Sequence, residues 1–268
     1  MADVLQGPRL KILRAKHGLQ ELNDELVAFG KTDPYEFVAY EDLQAREQIF
    51  QVRVNQEPPP TLGIVVGEVV HNLRSALDHI ACVLPLVRGA RRPTKPQFPV
   101  FDLRDPDPAQ PNRRAFIRHY KGRVGDIIPR AYDFIESIQP YHPTSDPAGW
   151  HPLAMLEDLW NHDKHNAIHI VTANFGAINI PQGIPEGAIA PAGPVHDCQV
   201  LAHWPLEGLI ITNDSPDPLP NIGFAIQPAF GDGGPASGHA LFPTLTRIYE
   251  YINREVVGPL ERIIYEAR

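Results

Sequence analysis

The stretch Glu68-Val69-Val70-His71-Asn72-Leu73-Arg74-Ser75-Ala76-Leu77-Asp78-His79 decides how the chain folds. It lies inside an apolar run from Thr61 to Pro85. Advanced at about 100° per residue, as in an α-helix, the run places Val65, Val69, Leu73, Ala76, Ile80 and Leu84 on one side. Glu68, His71, Arg74, Ser75, Asp78 and His79 gather on the other. A solvated helix face is mostly Lys, Glu and Gln. This face has no Lys and carries two His, an Arg and two carboxylates, so it reads as the lining of a site.

Upstream, Pro58-Pro59-Pro60 delivers the chain to this helix in stiff, extended geometry. Before it, segments 35–41 and 48–54 alternate with period two around a polar stretch, which predicts a β-hairpin over 35–55. Pro8 opens a first helix, 8–30, whose seam runs through Ile12, Ala15, Leu19, Leu22, Leu26 and Phe29. Downstream, residues 86–114 are a Pro-rich loop with a basic run at Arg88, Arg91, Arg92 and Lys95, and with Arg113 and Arg114 further on. Phe98-Pro99-Val100-Phe101 reads as an edge strand or a hydrophobic plug, because Pro disfavours a central strand.

Helical patterns follow over 128–139 and 152–171. On the second, Leu153, Leu156, Trp160, Ala167 and Val171 form the apolar stripe. Asp158, His162, His165 and His169 stack nearly opposite, flanked by Asn161 and Asn166. Short β-rich pieces fill 172–232, among them 198–203, 208–212 and 223–227. A last helix over 242–266 carries Leu245, Ile248, Ile252, Val256, Leu260 and Ile263, with a kink expected at Gly258-Pro259. The expected fold is α+β. It is one domain over 1–268: a bundle of four to five helices with a β-hairpin insertion and a small antiparallel β-rich region before the last helix.

Composition narrows the function classes. Apolar residues make up 43% of the chain and charged residues 21%, the balance of a globular protein. The net charge of -8 argues against a broad nucleic-acid or membrane footprint, both of which favour a basic face. Cys82 and Cys198 form no Cys-x-x-Cys pair, so thiolate zinc and thioredoxin-like chemistry have no support. No signal peptide is expected at the start of the chain. Glu68, His71 and Arg74 interrupt the best candidate membrane span. A cytoplasmic protein is expected.

The two polar faces allow two chemistries. In Arg74-Ser75-Ala76-Leu77-Asp78-His79 a permanent cation and a group titrating near neutrality share one helix. Arg can hold a phosphate by a bidentate contact, and His can exchange a proton with a sugar hydroxyl or leaving oxygen. The alternative is a divalent metal such as zinc, held by ligands drawn from His71, Asp78, His79, His162, His165 and His169 on facing helices. Neither helix carries His-Glu-x-x-His. Gly-x-Ser-x-Gly and the phosphate-loop and dinucleotide fingerprints are also missing. A third reading is non-catalytic: Arg74 and Asp78 form a bridge within the helix, the two faces meet in a buried hydrogen-bond network, and the β region binds a partner.

His71 to His79, preceded by Pro58-Pro59-Pro60 and followed by Asn161-His162-Asp163-Lys164-His165, resembles a large family of uncharacterised bacterial proteins. The likeness runs from about Leu10 to Val171. More distantly, the chain resembles the HEPN superfamily of helical bundles, many of whose members are metal-independent ribonucleases with an Arg-x(4–6)-His motif. That resemblance implies a HEPN-like bundle acting on RNA or a nucleotide phosphodiester with no cofactor, often as a homodimer. Arg74 would bind phosphate and His79 would serve as general acid/base, with His71 and Asp78 beside them. Asn72, Ser75, Asn161, Lys164 and His165 would contact the substrate.

Overall fold

The structure is a computed structural model that describes residues 3–91, 96–101, 123–142, 149–178, 187–190, 193–205 and 223–267. The expected strand at 208–212 and the basic residues Arg92, Lys95, Arg113 and Arg114 lie outside them. The chain divides into two compact units. The first comprises residues 1–22, 63–168 and 242–268, and the second residues 23–62 and 169–241.

The helices are α1 (Gln6–Gly30), α2 (Thr61–Val87), α3 (Pro129–Ser137) and α4 (Pro152–Asp163), then a last rod of α5 (Leu241–Glu250), a π-helical turn (Tyr251–Val257) and α6 (Gly258–Glu266). The strands are β1 (Tyr35–Asp42), β2 (Glu47–Val54), β3 (Ile170–Ile178), β4 (Gly193–Pro194), β5 (Gln199–Pro205) and β6 (Gly223–Phe230). The class is α+β as expected, with five helical rods and small antiparallel sheets among the described residues. No described helix is long and apolar enough to cross a membrane.

In the first unit α2 is the core element. Its expected apolar side is buried throughout, and so are Val66, Val70, Leu77 and Ala81. A helix so enclosed must place its polar residues where something meets them. The Phe98–Phe101 segment forms no strand and is a plug. Phe98 and Phe101 are buried, and Gln139 holds the plug by accepting from Phe101 N (3.0 Å) and donating to Pro99 O (3.2 Å).

The last rod keeps its apolar stripe through Gly258-Pro259. Pro259 has no N–H to donate to the preceding turn. The chain absorbs this with one π-helical turn, in which Gly258 N donates to Asn253 O. Leu245, Ile248, Ile252, Val256 and Leu260 therefore stay fully buried.

The second unit holds two three-stranded sheets, ordered β1-β2-β5 and β4-β3-β6. β1 and β2 form the expected hairpin in unbroken register from Tyr35↔Val54 to Asp42↔Glu47. Its turn closes because the Asp42 carboxylate accepts from Gln44 N and Ala45 N, both at 2.9 Å, and Arg46 takes a left-handed φ of 57°. Val52 and Leu201 pack with Val195, Ile226 and Ile189. Phe50 stacks on Trp204 with centroids 4.7 Å apart.

One boundary needs correction. The helix expected over 152–171 ends at Asp163, and Ile170 already begins β3. Asn161, Asp163 and Asn166 are poor helix formers, and Ile168, Ile170, Val171 and Thr172 are β-branched, so the local preference changes within one turn. His165 and His169 thus leave the helix. The stack from Asp158 through His169 does not exist as one helical face.

Candidate functional site

The polar residues of α2 fall into two stripes rather than one. Glu68, Asn72 and His79 face α1. Arg14 pairs with Glu68 at 2.6 Å. Lys11 donates to the Asn72 amide oxygen at 3.1 Å, while the Asn72 amide nitrogen donates to Glu68 O at 2.7 Å. His79 is exposed beside Gly7, where a Cβ would come within 2.9 Å of its Nδ1. The second stripe, Gly67, His71, Arg74, Ser75 and Asp78, faces α4 and the plug. Arg74 and His79 are five residues apart, about 140° around the helix. They serve different stripes, and the structure does not bring them together.

The α2–α4 seam is built on close approach. A Cβ at Gly63 would overlap the carbonyl oxygen of Ile168, and one at Gly67 would lie 2.6 Å from Asp163 Oδ1. These two glycines, one helical turn apart, let the end of α4 and the segment after it rest on the backbone of α2. The two helices run antiparallel, so Gly67 meets Asp163 while Arg74, further along, meets Glu157.

Arg74 is the centre of this seam and only 1% exposed. Its Nη1 donates to Asp78 Oδ1 at 2.5 Å, and its Nη2 donates to Phe98 O at 2.9 Å. Its Nε lies 2.7 Å from Glu157 Oε2. That N–H is not aligned on the oxygen, so the contact is an ion pair rather than a hydrogen bond. Asp78 Oδ1 also accepts from Phe98 N at 2.8 Å. One Phe98 residue thus donates to the acid and accepts from the cation, which fixes the plug.

The guanidinium lies over the Trp160 ring at 4.9 Å from its centroid, and the Lys164 ammonium lies over the same ring. Burial raises the Asp78 carboxyl above the usual carboxylate range, against the pull of Arg74. Burial lowers the Lys164 ammonium; Glu157 and Asp78 oppose that shift and Arg74 adds to it.

Toward the start of α2 the seam turns to His71 and Ser75. The Ser75 hydroxyl is 3.3 Å from His71 Nε2. Asp163 is raised by burial, with His71 and His162 acting to hold it down. Lys164 Nζ donates to the Asn161 amide oxygen at 3.3 Å, which closes the helix end. His165 is exposed in the turn after α4, its N–H bonded to His162 O. His169 belongs to the second unit, where its carbonyl accepts from Gly231 N at 2.8 Å. Among the described residues no three of His, Cys, Asp and Glu gather to hold a metal ion.

Sequence reading misses Glu157, Trp160 and Asp163 as seam residues, because it seeks the polar face of α4 along the His stack. A usable signal is present in Gly63-Ile64-Val65-Val66-Gly67. Small residues four apart on an apolar helix mark where another segment comes close. Comparison with family models, with curated proteins and with solved structures finds no match.

Proposed function

We propose that this chain is a binding protein rather than an enzyme, and that its α2–α4 seam is a structural lock. The supporting observation is the state of Arg74: 1% exposed, with every guanidinium nitrogen engaged by Asp78, Glu157 or Phe98. A phosphate could reach that cation only by displacing two carboxylates and the plug. The test joins stability to activity. Arg74→Lys and Arg74→Ala are unfolded in urea beside the parent, and a labelled single-stranded RNA is incubated with each in chelator. Lower stability in both variants and intact RNA with the parent are expected. RNA cleaved by the parent and spared by a folded Arg74→Lys protein would overturn the reading.

A second reading keeps the phosphodiester chemistry that the HEPN resemblance implies, in a cytoplasmic, metal-independent, homodimeric protein acting on RNA or a nucleotide. The contact of Ser75 with His71, next to Asp163 and Lys164, favours it. Polar groups with shifted titration that converge on one seam are the usual signature of an acid–base site. Here His71 exchanges the proton, Lys164 meets the phosphate, and Arg74 positions the acids. The residue to compare is His79. Cleavage lost in His71→Ala but kept in His79→Ala supports this assignment. The opposite pattern restores the Arg74–His79 pair as the catalytic unit.

A further inference from the structure

We propose that the cleft between α3 and α6 is a binding site for a small monocarboxylate with an apolar body, held by Arg262. This goes beyond either reading of the α2–α4 seam, because no seam residue lines the cleft. Both helices belong to the first unit. The cleft has a volume of about 280 Å³ and is lined by Arg130, Phe134, Pro259, Arg262, Ile263 and Glu266. Ile263 is buried and Phe134 and Pro259 are half-buried, so they form an apolar floor. Arg130, Arg262 and Glu266 are exposed and form the rim. An apolar floor with a few charged groups around it is the usual make-up of a small-molecule site, and the volume suits a ligand at the small end of that class.

The charges of α6 single out Arg262. Gly258-Pro259-Leu260-Glu261-Arg262-Ile263-Ile264-Tyr265-Glu266 holds two carboxylates and one Arg. Each carboxylate is taken by a cation from another helix. Arg9 of α1 donates to both oxygens of Glu261, from Nε at 2.9 Å and from Nη2 at 3.2 Å. Arg130 of α3 donates from Nη1 to Glu266 Oε2. Glu266 is also the i+4 neighbour of Arg262, a spacing at which opposite charges pair on a helix. It is turned to Arg130 instead. Among the described residues the Arg262 side chain has no ion pair and no hydrogen bond. The chain holds 32 acidic residues against 24 Lys and Arg, so carboxylates are in surplus. The guanidinium beside this apolar floor is nevertheless left without one.

The rim thus carries two cations and one carboxylate, and a ligand with one negative charge balances it. A guanidinium is planar, and its paired N–H donors match the two oxygens of a carboxylate. The body of the ligand would lie on Phe134 and Ile263, where covering apolar area adds to the affinity. A flat ring suits the Phe134 side, because offset and edge contacts between rings are favourable. The Arg130–Glu266 pair joins the two helices across the rim. Glu266 also limits the charge of the ligand, since a second negative group would approach its carboxylate. These features select a monocarboxylate with an apolar body over a phosphate or a dicarboxylate.

The test titrates phenylacetate into the isotope-labelled full chain at neutral pH. NMR reads the Arg262 Nε–H resonance and the backbone amides of Phe134 and Ile263. A saturable shift at all three is expected. Acetate has the charge without the body, and phenylacetamide has the body without the charge; each should bind about tenfold more weakly. Arg262→Gln should weaken phenylacetate about tenfold, read at the two amides. Glu266→Gln removes the opposing carboxylate and releases Arg130, so it should tighten binding by about two- to fivefold. Both positions are exposed, and both variants should keep the urea midpoint of the parent. No saturable shift with phenylacetate, or equal binding by Arg262→Gln, would overturn the site. Equal binding of acetate, or tighter binding of inorganic phosphate, would overturn the ligand class. Weaker binding by Glu266→Gln would overturn the charge assignment of the rim.

Discussion

The α2–α4 seam and the β1 edge present polar groups in opposite ways. In the seam a cation is buried and its nitrogens are engaged, by hydrogen bonds to Asp78 and the Phe98 carbonyl and by an ion pair to Glu157. At the edge eight residues of backbone stand in unbroken register with β2. The residue types alone suggest the reverse. Arg74 and its histidine neighbours look like a site, and Tyr35 to Asp42 looks like an ordinary hairpin strand. Chemical reactivity belongs to residue types, but availability belongs to packing. Burying an ion pair is weak evidence for added stability, whereas removing one partner leaves a buried charge alone. The seam should therefore be the place where small changes cost most, and the edge the place where they cost least.

Arg74→Ala probes this contrast most strongly. It leaves Asp78 and Glu157 facing each other beside an emptied volume and frees the Phe98 carbonyl. A loss of about 3–5 kcal/mol is expected, read as a lower urea midpoint at unchanged slope. A loss below about 1 kcal/mol would mean that the network is wet and the seam open, breaking the contrast. Next comes Gly63→Ala. Its Cβ would meet the Ile168 carbonyl, and neither backbone can swing aside as a side chain does. About 1–3 kcal/mol is expected to be lost by crowding. Gly30→Ala is the control, because nothing lies within 4 Å of a Cβ there. It should be neutral or stabilising by up to about 1 kcal/mol from helix propensity.

What can be read from the sequence follows the same division. The α2 apolar face, the hairpin and the stripe of the last rod obey single periods, and all three are found as expected. The plug is one of two options the sequence offers, because Pro99 excludes a central strand. The end of α4 is not legible in this way. The His162, His165 and His169 spacing imitates helical period, yet Asn166 and the β-branched run from Ile168 turn the chain into β3. The partners of Arg74 are half legible. Asp78 is its i+4 neighbour, whereas Glu157 and Phe98 come from segments whose distance no local pattern encodes. The separation of Arg74 from His79 is legible in principle, since five residues place them about 140° apart.

Asp163 gives a smaller test within the seam. Burial raises its carboxyl, with His71 and His162 opposing. A carboxyl that titrates higher in the folded than in the unfolded chain binds more protons when folded. Its contribution is therefore full below the unfolded pKa and is lost as pH rises through the folded one. Between those two values the parent should gain stability as pH falls, relative to Asp163→Asn. The difference between the two, measured by urea unfolding across the carboxylate range, should slope in that direction. A flat difference would mean that Asp163 is solvated and that the close approach at Gly67 is not maintained in solution.

The smallest expected effect sits at the edge. Glu41→Lys changes an exposed residue opposite Gln48 in the ladder, with no ion pair of its own among the described residues. Stability should stay within about 0.5 kcal/mol of the parent, and Lys on an exposed edge strand is itself a common guard against unwanted pairing. The urea midpoint of Glu41→Lys should match that of the parent. If the midpoint falls, Glu41 is part of what holds the hairpin together, and the edge serves the fold as much as the seam does.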